Sequence, residues 1–303
     1  MKLPALAAVF ASAALAGCAV TDSGPPGGPV DAGVLEWRDL RRLPQPAPVP
    51  PLSYGTEPHQ TGELRLPPGV PGPFPVLVLV RGLCWEAAVG HDYLRPLADA
   101  LATLGVATWT VDYRSPENGG GWPGTFLDVA RATDHLRVLA QTYPLDLGRV
   151  VVAGHASGGQ LALWLATRRR LKQGDALFIR DPLAVRGVIG LAAITDLDAQ
   201  RDAGDAGCGD AVDALLAGAP DDALKRVSPA SLLPLGVPQW FVHGALDTRV
   251  PEAEIMAYVE RARRRGDAVT VGITSAAGHY EPAAPGSATW MTLQQAVIDS
   301  LLE

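Results

Sequence analysis

The sequence predicts an α/β fold with a mostly parallel sheet that is covered by helices on both faces. Short runs of almost entirely apolar residues, each bounded by Gly or Pro, are typical of strands that are buried on both sides. These runs alternate with segments of helical periodicity, as in βαβ units. Apolar residues make up 48% of the 303 residues and charged residues 19%, so the chain can bury a large core.

The predicted strands follow the apolar runs in chain order. Residues 62–67 (GELRLP) alternate apolar and polar side chains, which predicts a strand with one exposed face. Residues 74–82 (FPVLVLVRG) are nearly all apolar and predict a strand that is buried on both faces. Further strands are predicted at 106–114, 149–154, 185–193, 237–244 and 267–274.

Helices are predicted between the strands. Their ranges are 92–104, 124–143, 157–170, 210–216, 251–266 and 287–301. Gly105 is placed to end the first of them. Pro251 and Gly266 frame the fifth, in agreement with the preference for Pro at helix starts and Gly at helix ends.

The first 52 residues are predicted to lie outside the globular domain, which we place at 53–303. Residues 1–17 resemble a bacterial lipoprotein signal peptide, which is cleaved before Cys18 and leaves a lipid on that thiol. The alternative is a plain secretory signal in which Cys18 has no role. Residues 18–52 are rich in Gly and Pro and predict a semi-extended tether with a short helix near 35–40. We therefore expect an exported protein that a lipid anchors to a membrane of the bacterial cell envelope.

Charge and cysteine content bear on partners and compartment. The net charge of −7 argues against a nucleic-acid partner, because nucleic-acid binders usually present a basic face. Cys84 and Cys208 are the cysteines of the predicted domain. In an exported chain they form either a disulfide or two buried free thiols, and the sequence leaves both open.

Residues 149–160 (RVVVAGHASGGQ) predict a strand, a tight glycine turn and a helix. That arrangement is typical of a nucleophile elbow, where the catalytic serine stands midway between two glycines. Here Gly154 and Gly158 hold the glycine positions, and Ala156 stands between them. Ser157 follows one residue late.

Four segments together resemble the landmarks of a known family. They are RGLCW (81–85), GHASGG (154–159), HGALDTRVP (243–251) and AAGHYE (276–281). In this order they resemble the oxyanion loop, elbow, acid loop and histidine loop of α/β-hydrolases of the esterase and arylformamidase (kynurenine formamidase)-like branch. The resemblance extends from about Tyr54 to the C-terminus. It implies an α/β-hydrolase fold that needs no cofactor and acts on a small carboxylic ester or amide.

The resemblance also implies a role for each residue of a catalytic triad. His279 would take the proton of a nucleophile, and Asp247 would hold the imidazole in the correct tautomer. Backbone N–H groups of Ser157 and of the loop Gly82–Cys84 would stabilise the oxyanion.

Three residues depart from the family pattern. Ala156 has no nucleophilic atom, Arg81 stands where the family has His, and Leu83 stands where it has Gly. One hypothesis is a serine hydrolase that uses Ser157, although the shifted frame puts His155 where the turn needs a small residue. The shift also swings the side chain by about 100°. The other hypothesis is a pseudohydrolase that binds a ligand or partner, with Ala156 at the tip of the elbow.

The surroundings of the site give three further expectations. Asp247 and His279 both follow predicted strands, so we expect them within hydrogen-bond reach at the carboxyl edge of the sheet. Trp85 and Trp122 are expected to border the pocket, unless they only pack loops against the sheet. A metal hydrolase built on His155, His243 and Asp247 is a third hypothesis, but no metal-binding spacing supports it and we assign no metal.

Overall fold

The computed structural model describes residues 33–302, which form one eight-stranded sheet flanked by helices. The predicted signal peptide, Cys18 and the tether as far as residue 32 lie outside the described residues. The strands are β1 Leu52–Ser53, β2 Thr61–Arg65, β3 Phe74–Val80, β4 Ala107–Val111, β5 Leu145–His155, β6 Gly187–Leu191, β7 Gln239–Gly244 and β8 Val269–Thr274. Their order in the sheet is β1-β2-β4-β3-β5-β6-β7-β8. Strand β2 is antiparallel to β1 and β4, and all other neighbours are parallel, which confirms the predicted α/β fold.

The helices connect the strands and cover both faces of the sheet. They are α1 Trp37–Arg41, α2 Arg95–Ala102, α3 Gly124–Asp134, α4 Leu136–Leu139, α5 Ser157–Thr167, α6 Leu197–Asp202, α7 Asp210–Leu215, α8 Ala223–Val227, α9 Pro229–Leu232, α10 Glu252–Arg264 and α11 Trp290–Val297. Within residues 33–302, no helix combines the length and the apolar composition that a membrane crossing requires.

The central strand β5 shows why its sequence is apolar at consecutive positions. Val150 and Val152 pack into the core on the side of α3, α5 and α10. Val151 and Ala153 pack into a second core on the opposite side, with α2 and α11. Because successive strand side chains point to opposite faces, a strand between two layers of helices must be apolar throughout.

The predicted elements are present, and their ends differ in places. The helix predicted at 124–143 is divided at His135 into α3 and α4, and β5 begins at Leu145, four residues before the predicted start. Strand β1 and helices α6, α8 and α9 were not predicted. These elements are only two to six residues long, and so short a segment shows too little periodicity to be recognised.

The compact unit begins at Val34, upstream of the domain boundary predicted at residue 53. Residues 34–43 pack against the domain because α1 presents an apolar face. Leu40 is fully buried, and the ring of Trp37 lies edge-on to Tyr93 with 5.3 Å between ring centroids. The Pro-rich residues that follow run along the domain, where Ala47 O accepts a hydrogen bond from Arg65.

Candidate active site

Ala156 stands at the tip of a sharp turn between β5 and α5. Its backbone has φ 51° and ψ −116°, a strained conformation for a residue with a side chain. The flanking glycines fix this position. A Cβ atom on Gly154 would lie 2.1 Å from Gly158 O, and one on Gly158 would lie 2.2 Å from Val80 O. The turn cannot slip by one residue, so Ala156 occupies the nucleophile position as predicted.

Ser157 is the first residue of α5, and its side chain is fully buried. Its Oγ accepts a hydrogen bond from the backbone N–H of Trp85, with 3.3 Å between the nitrogen and the oxygen. The hypothesis that Ser157 serves as the nucleophile is therefore not supported by the geometry. The helix turns its side chain away from the tip and into the contact with the loop after β3.

Asp247 and His279 are in hydrogen-bond contact, as the sequence predicts. Asp247 follows β7, His279 follows β8, and His279 Nδ1 lies 2.8 Å from Asp247 Oδ2. The other carboxylate oxygen accepts hydrogen bonds from Arg249 N at 2.8 Å and Val250 N at 2.9 Å. Burial acts to raise the pKa of Asp247, but the hydrogen bonds from His279 and Val250 outweigh it and hold the pKa below its ordinary value. Asp247 is thus an anion that fixes the orientation of the His279 ring.

A second buried histidine connects this pair to the loop after β3. His155 Nε2 lies 2.9 Å from His279 O, and His155 Nδ1 lies 3.2 Å from the Tyr93 hydroxyl. Burial and the neighbouring His279 lower the pKa of His155 to about 3, so its imidazole is neutral. Nε2–H therefore donates to the carbonyl, Nδ1 accepts from Tyr93, and the Tyr93 oxygen accepts from Gly82 N at 2.8 Å. These hydrogen bonds could not be predicted from the sequence, because the four residues come from separate segments.

The loop after β3 holds three consecutive residues in the left-handed region: Leu83 (φ 68°), Cys84 (φ 50°) and Trp85 (φ 60°). Gly82 N donates to Tyr93, and Trp85 N donates to Ser157 Oγ. The predicted oxyanion role of Gly82 is therefore wrong, because its N–H already has an acceptor. In the described part of the chain, the N–H groups of Leu83, Cys84 and Ser157 remain for a ligand oxygen.

Cys84 and Cys208 form a disulfide, with their Cα atoms 5.4 Å apart. The bond joins the loop after β3 to the segment between α6 and α7. The structure thus decides between the two alternatives that the sequence left open. It also shows what holds Cys84 in its left-handed conformation.

Arg81 has a structural role away from the tip of the elbow. Its buried guanidinium group donates to Asp112 Oδ1 at 2.5 Å, Glu86 O at 3.0 Å, Tyr113 O at 2.9 Å and Ser115 Oγ at 2.9 Å. It also lies 3.9 Å from the centroid of the Tyr113 ring. Arg81 therefore ties the start of the loop to the segment after β4.

Ala156 and His279 line one small cavity of about 20 Å³, which is about the room that one water molecule needs. Leu83, Ile194 and the disulfide form other parts of its wall. A wider groove of about 410 Å³ borders the same histidine. Its walls are Trp37 and residues 34–36, Leu246, Thr248, Arg249, His279 and Tyr280. The site is thus a water-sized cavity with an open groove beside it.

Trp85 and Trp122 do not line this cavity, so the prediction that they border it is wrong. Trp85 is fully buried, and its Nε1 donates to Gln160 Oε1 at 3.2 Å. Trp122 packs edge-on against Phe126 and lies under the guanidinium group of Arg226. Both indoles pack loops against the sheet, which was the alternative considered for them.

Glu281 positions the histidine loop, although the sequence did not single it out. Its carboxylate accepts from Gly278 N at 2.9 Å and from Leu35 N at 2.6 Å. It therefore joins the residue before His279 to the segment that precedes α1. The spacing of three residues between Gly278 and Glu281 is the only signal that the sequence offers.

The residues considered for a metal site have other roles. His155 uses both ring nitrogens for hydrogen bonds to protein atoms, so it does not act as a ligand in this arrangement. Both ring nitrogens of His243 are buried and lack a hydrogen-bond partner in the described residues. Within residues 33–302, no three or more His, Cys, Asp or Glu side chains are grouped to hold a metal ion.

Comparison with known proteins gives a family and several similar folds. The BD-FAE family model matches residues 63–260, more than half of the chain. A truncated carbohydrate esterase from gut microbiota superposes with a TM-score of 0.72 at 18% identity, over 84% of this chain and 95% of that chain. An inhibited esterase B from Lactobacillus rhamnosis gives 0.69 at 19% identity, over 81% and 84%. An acetyl ester-xyloside bifunctional hydrolase from Caldicellulosiruptor lactoaceticus gives 0.65 at 16% identity, over 83% and 96%. No curated protein sequence matches this chain significantly.

Proposed function

The chain belongs to the BD-FAE family, an α/β-hydrolase-type esterase family, and we propose that it is a catalytically impaired member that lacks the serine nucleophile and binds a small carboxylic ester. The observation that carries the proposal is Ala156 at the tip of the elbow, facing the same cavity as His279. A serine esterase forms its acyl-enzyme through a hydroxyl at that position. A methyl group cannot form this bond, while the cavity and groove remain able to hold a ligand.

The dimensions of the site support a ligand with a small acyl group. The cavity beside Ala156 measures only about 20 Å³, and the disulfide and Leu83 form part of its wall. An acetyl group at the mouth of this cavity therefore suits the site better than a long or aromatic acyl chain. The groove next to His279 has room for a much larger alcohol portion. Two of the similar structures are named as a carbohydrate esterase and an acetyl ester-xyloside hydrolase. We therefore propose an acetylated sugar as the ligand.

A reactive fluorophosphonate tests the absence of a covalent nucleophile. Such probes label activated serines, so the wild-type chain should remain unlabelled. The Ala156→Ser variant should be labelled at position 156, because a hydroxyl there faces His279. Labelling of the wild-type chain that disappears in Ser157→Ala would instead establish Ser157 as a nucleophile and contradict the proposal.

Binding is tested separately with acetylated xylo-oligosaccharides and their deacetylated counterparts in isothermal titration calorimetry. Only the acetylated form should bind, and Ile194→Phe should abolish binding because it fills the cavity. Val138→Phe is the matched control, since Val138 is 53% exposed and lies outside the site. Equal binding of both sugars, or binding that survives Ile194→Phe, would contradict an acyl pocket in this cavity.

Export and lipid anchoring at Cys18 remain part of the proposal. The lipoprotein-like signal at residues 1–17 supports it, and so does a disulfide that persists best in an oxidising compartment. Cells grown with an alkyne analogue of a fatty acid should incorporate the label into the wild-type protein. Cys18→Ala should remove both the label and the association with the membrane fraction. Unchanged labelling in that variant would show that Cys18 is not the lipidated residue.

A further inference from the structure

We infer that His279 and Asp247 retain a hydrolytic activity in which a water molecule, held beside Ala156, attacks the bound ester directly. This inference rests on the proposed binding of an ester in the cavity. It goes beyond that proposal because it assigns a reaction, without an acyl-enzyme, to a site that has lost its serine.

The acid–base pair is arranged as a working base. Asp247 binds His279 Nδ1 on one side of the ring, so the lone pair of Nε2 faces away from the carboxylate. His279 and Ala156 line the same cavity. The carboxylate keeps its charge because Arg249 N and Val250 N also donate to it. The pair thus keeps the tautomer and the orientation that a general base requires.

The cavity has room for the water that this reaction needs. A water molecule requires about 10–15 Å³ measured in this way, together with two to four polar partners. The cavity beside Ala156 offers about 20 Å³. Partners are at hand, because His279 Nε2 can accept a proton from the water and one of the backbone N–H groups of Leu83, Cys84 and Ser157 can donate to it, which leaves two for the oxyanion. Replacing the serine hydroxymethyl group by a methyl group frees space at the position that the hydroxyl oxygen would take.

Donors for the developing oxyanion are also present. The N–H groups of Leu83, Cys84 and Ser157 have no acceptor in the part of the chain that the structure describes. Leu83 and Cys84 line the cavity, and Ser157 N follows Ala156 directly at the start of α5. The disulfide and the hydrogen bonds of Arg81 hold this loop in place without the ligand. Such preorganised donors stabilise a tetrahedral intermediate.

The water oxygen forms a bond to the carbonyl carbon while one of its protons passes to His279 Nε2, and the carbonyl π electrons move to the oxygen. The tetrahedral intermediate then collapses, the bond to the alcohol oxygen breaks, and that oxygen takes the proton from His279. The products are one carboxylic acid and one alcohol, and the protein returns to its initial protonation state. No other reactant is required.

The test measures acetate release from an acetylated xylo-oligosaccharide by nuclear magnetic resonance. The wild-type chain should release acetate at a constant rate from the first turnover, with no acetylated protein in intact mass spectra. His279→Ala should lower the rate by about 100-fold or more, the range of general-base catalysis. Added imidazole should restore part of that rate, which it would not do if His279 had only a structural role.

Two further variants secure the interpretation. Asp247→Asn should also lower the rate strongly, because it favours the wrong tautomer of His279. His135→Ala removes a histidine that stacks on Trp109 outside the site, and it should leave the rate unchanged. Calorimetric binding of the same sugar to each variant shows that the site is still folded.

Each contrary result identifies what has failed. A chain that binds the acetylated sugar but releases no acetate above the buffer rate overturns the inference and leaves the proposed binding function intact. So does a His279→Ala variant that matches the wild type, or an acetyl group trapped on a serine. A chain that does not bind the sugar overturns the proposed function and this inference with it.

Discussion

The acid–base side of the site and its nucleophile side have diverged to different degrees. The loops after β7 and β8 keep Asp247 Oδ2 and His279 Nδ1 2.8 Å apart, and the other carboxylate oxygen accepts hydrogen bonds from two backbone N–H groups. The elbow keeps its strained turn but carries Ala156. The loop after β3 has Arg81 and Leu83 in place of the family residues. The elbow thus has the strained turn of a serine esterase but not the hydroxyl group that this turn presents there.

The departures at Ala156 and Arg81 differ in kind, because the first removes a reactive group and the second supplies structural hydrogen bonds. Ala156 lacks a reactive atom, whereas the buried guanidinium group of Arg81 makes several hydrogen bonds to the segment after β4. We therefore expect that restoring the family residue is tolerated at position 156 in the elbow but destabilises the protein at position 81 in the loop after β3.

Ala156→Ser should raise kcat/KM for an acetylated sugar by about 10²–10⁴-fold over the wild type. The new hydroxyl would sit at the tip of the turn and give His279 a proton to accept, and triad members act as a unit. Initial rates of acetate release measure the effect. Ala156→Gly is the control, because it changes the same position without adding a nucleophile. If the serine variant gains nothing over this control, the loop after β3 rather than the elbow limits catalysis.

Arg81→His should lower the free energy of unfolding by about 3–5 kcal/mol, the cost of breaking a buried ion pair by removing one partner. The variant restores the family residue, yet it leaves Asp112 and the carbonyl groups of the loop without the guanidinium donor. Urea unfolding measures the change. Arg169→His is the matched control, since Arg169 is exposed. Equal stability of the two variants would mean that the loop has not come to depend on Arg81.

Features that depend on residues close together in the chain could be predicted from the sequence. Strand β3 and residues 150–153 of β5 are apolar at every position because both of their faces are covered, and local composition records this. Asp247 and His279 were assigned from the resemblance of their loops to the acid and histidine loops of the family. Their contact was predicted because each follows a strand at the same edge of the sheet. The position of Ala156 follows from Gly154 and Gly158, which are close to it in the chain.

The features that were missed depend on contacts between distant segments. Tyr93 and His155 are 62 positions apart, and neither neighbourhood indicates the other. Trp85 lies in the core rather than in the pocket because its left-handed backbone turns the side chain inward. The segment around Trp37 was judged by its Pro content, although its few apolar residues suffice to pack it onto the domain.

Removing the disulfide should lower the free energy of unfolding by about 2–4 kcal/mol, because the unfolded chain regains the freedom of a long loop. Urea unfolding of the double variant Cys84→Ala with Cys208→Ala measures this loss. The disulfide lies on the nucleophile side of the site, so the effect should be confined to that side. Reduction of the wild type by dithiothreitol should reproduce the loss, while the same treatment should not affect the double variant. Hydrogen exchange should become faster in the loop after β3 but not around Asp247. Equal acceleration on both sides would contradict a clamp specific to the loop.

The smallest effect concerns the strain at Leu83. A leucine in the left-handed region is strained by about 1–2 kcal/mol, and glycine relieves that strain. Leu83→Gly also loses contacts of a half-buried side chain, so its net effect is best compared with Leu104→Gly, where a half-buried leucine has an ordinary backbone conformation. We expect the substitution at Leu83 to lower the free energy of unfolding by about 1–2 kcal/mol less than the substitution at Leu104. Urea unfolding of both variants gives the difference directly. Equal losses would show that the disulfide at Cys84, rather than the residue at position 83, sets the conformation of the loop without strain at Leu83.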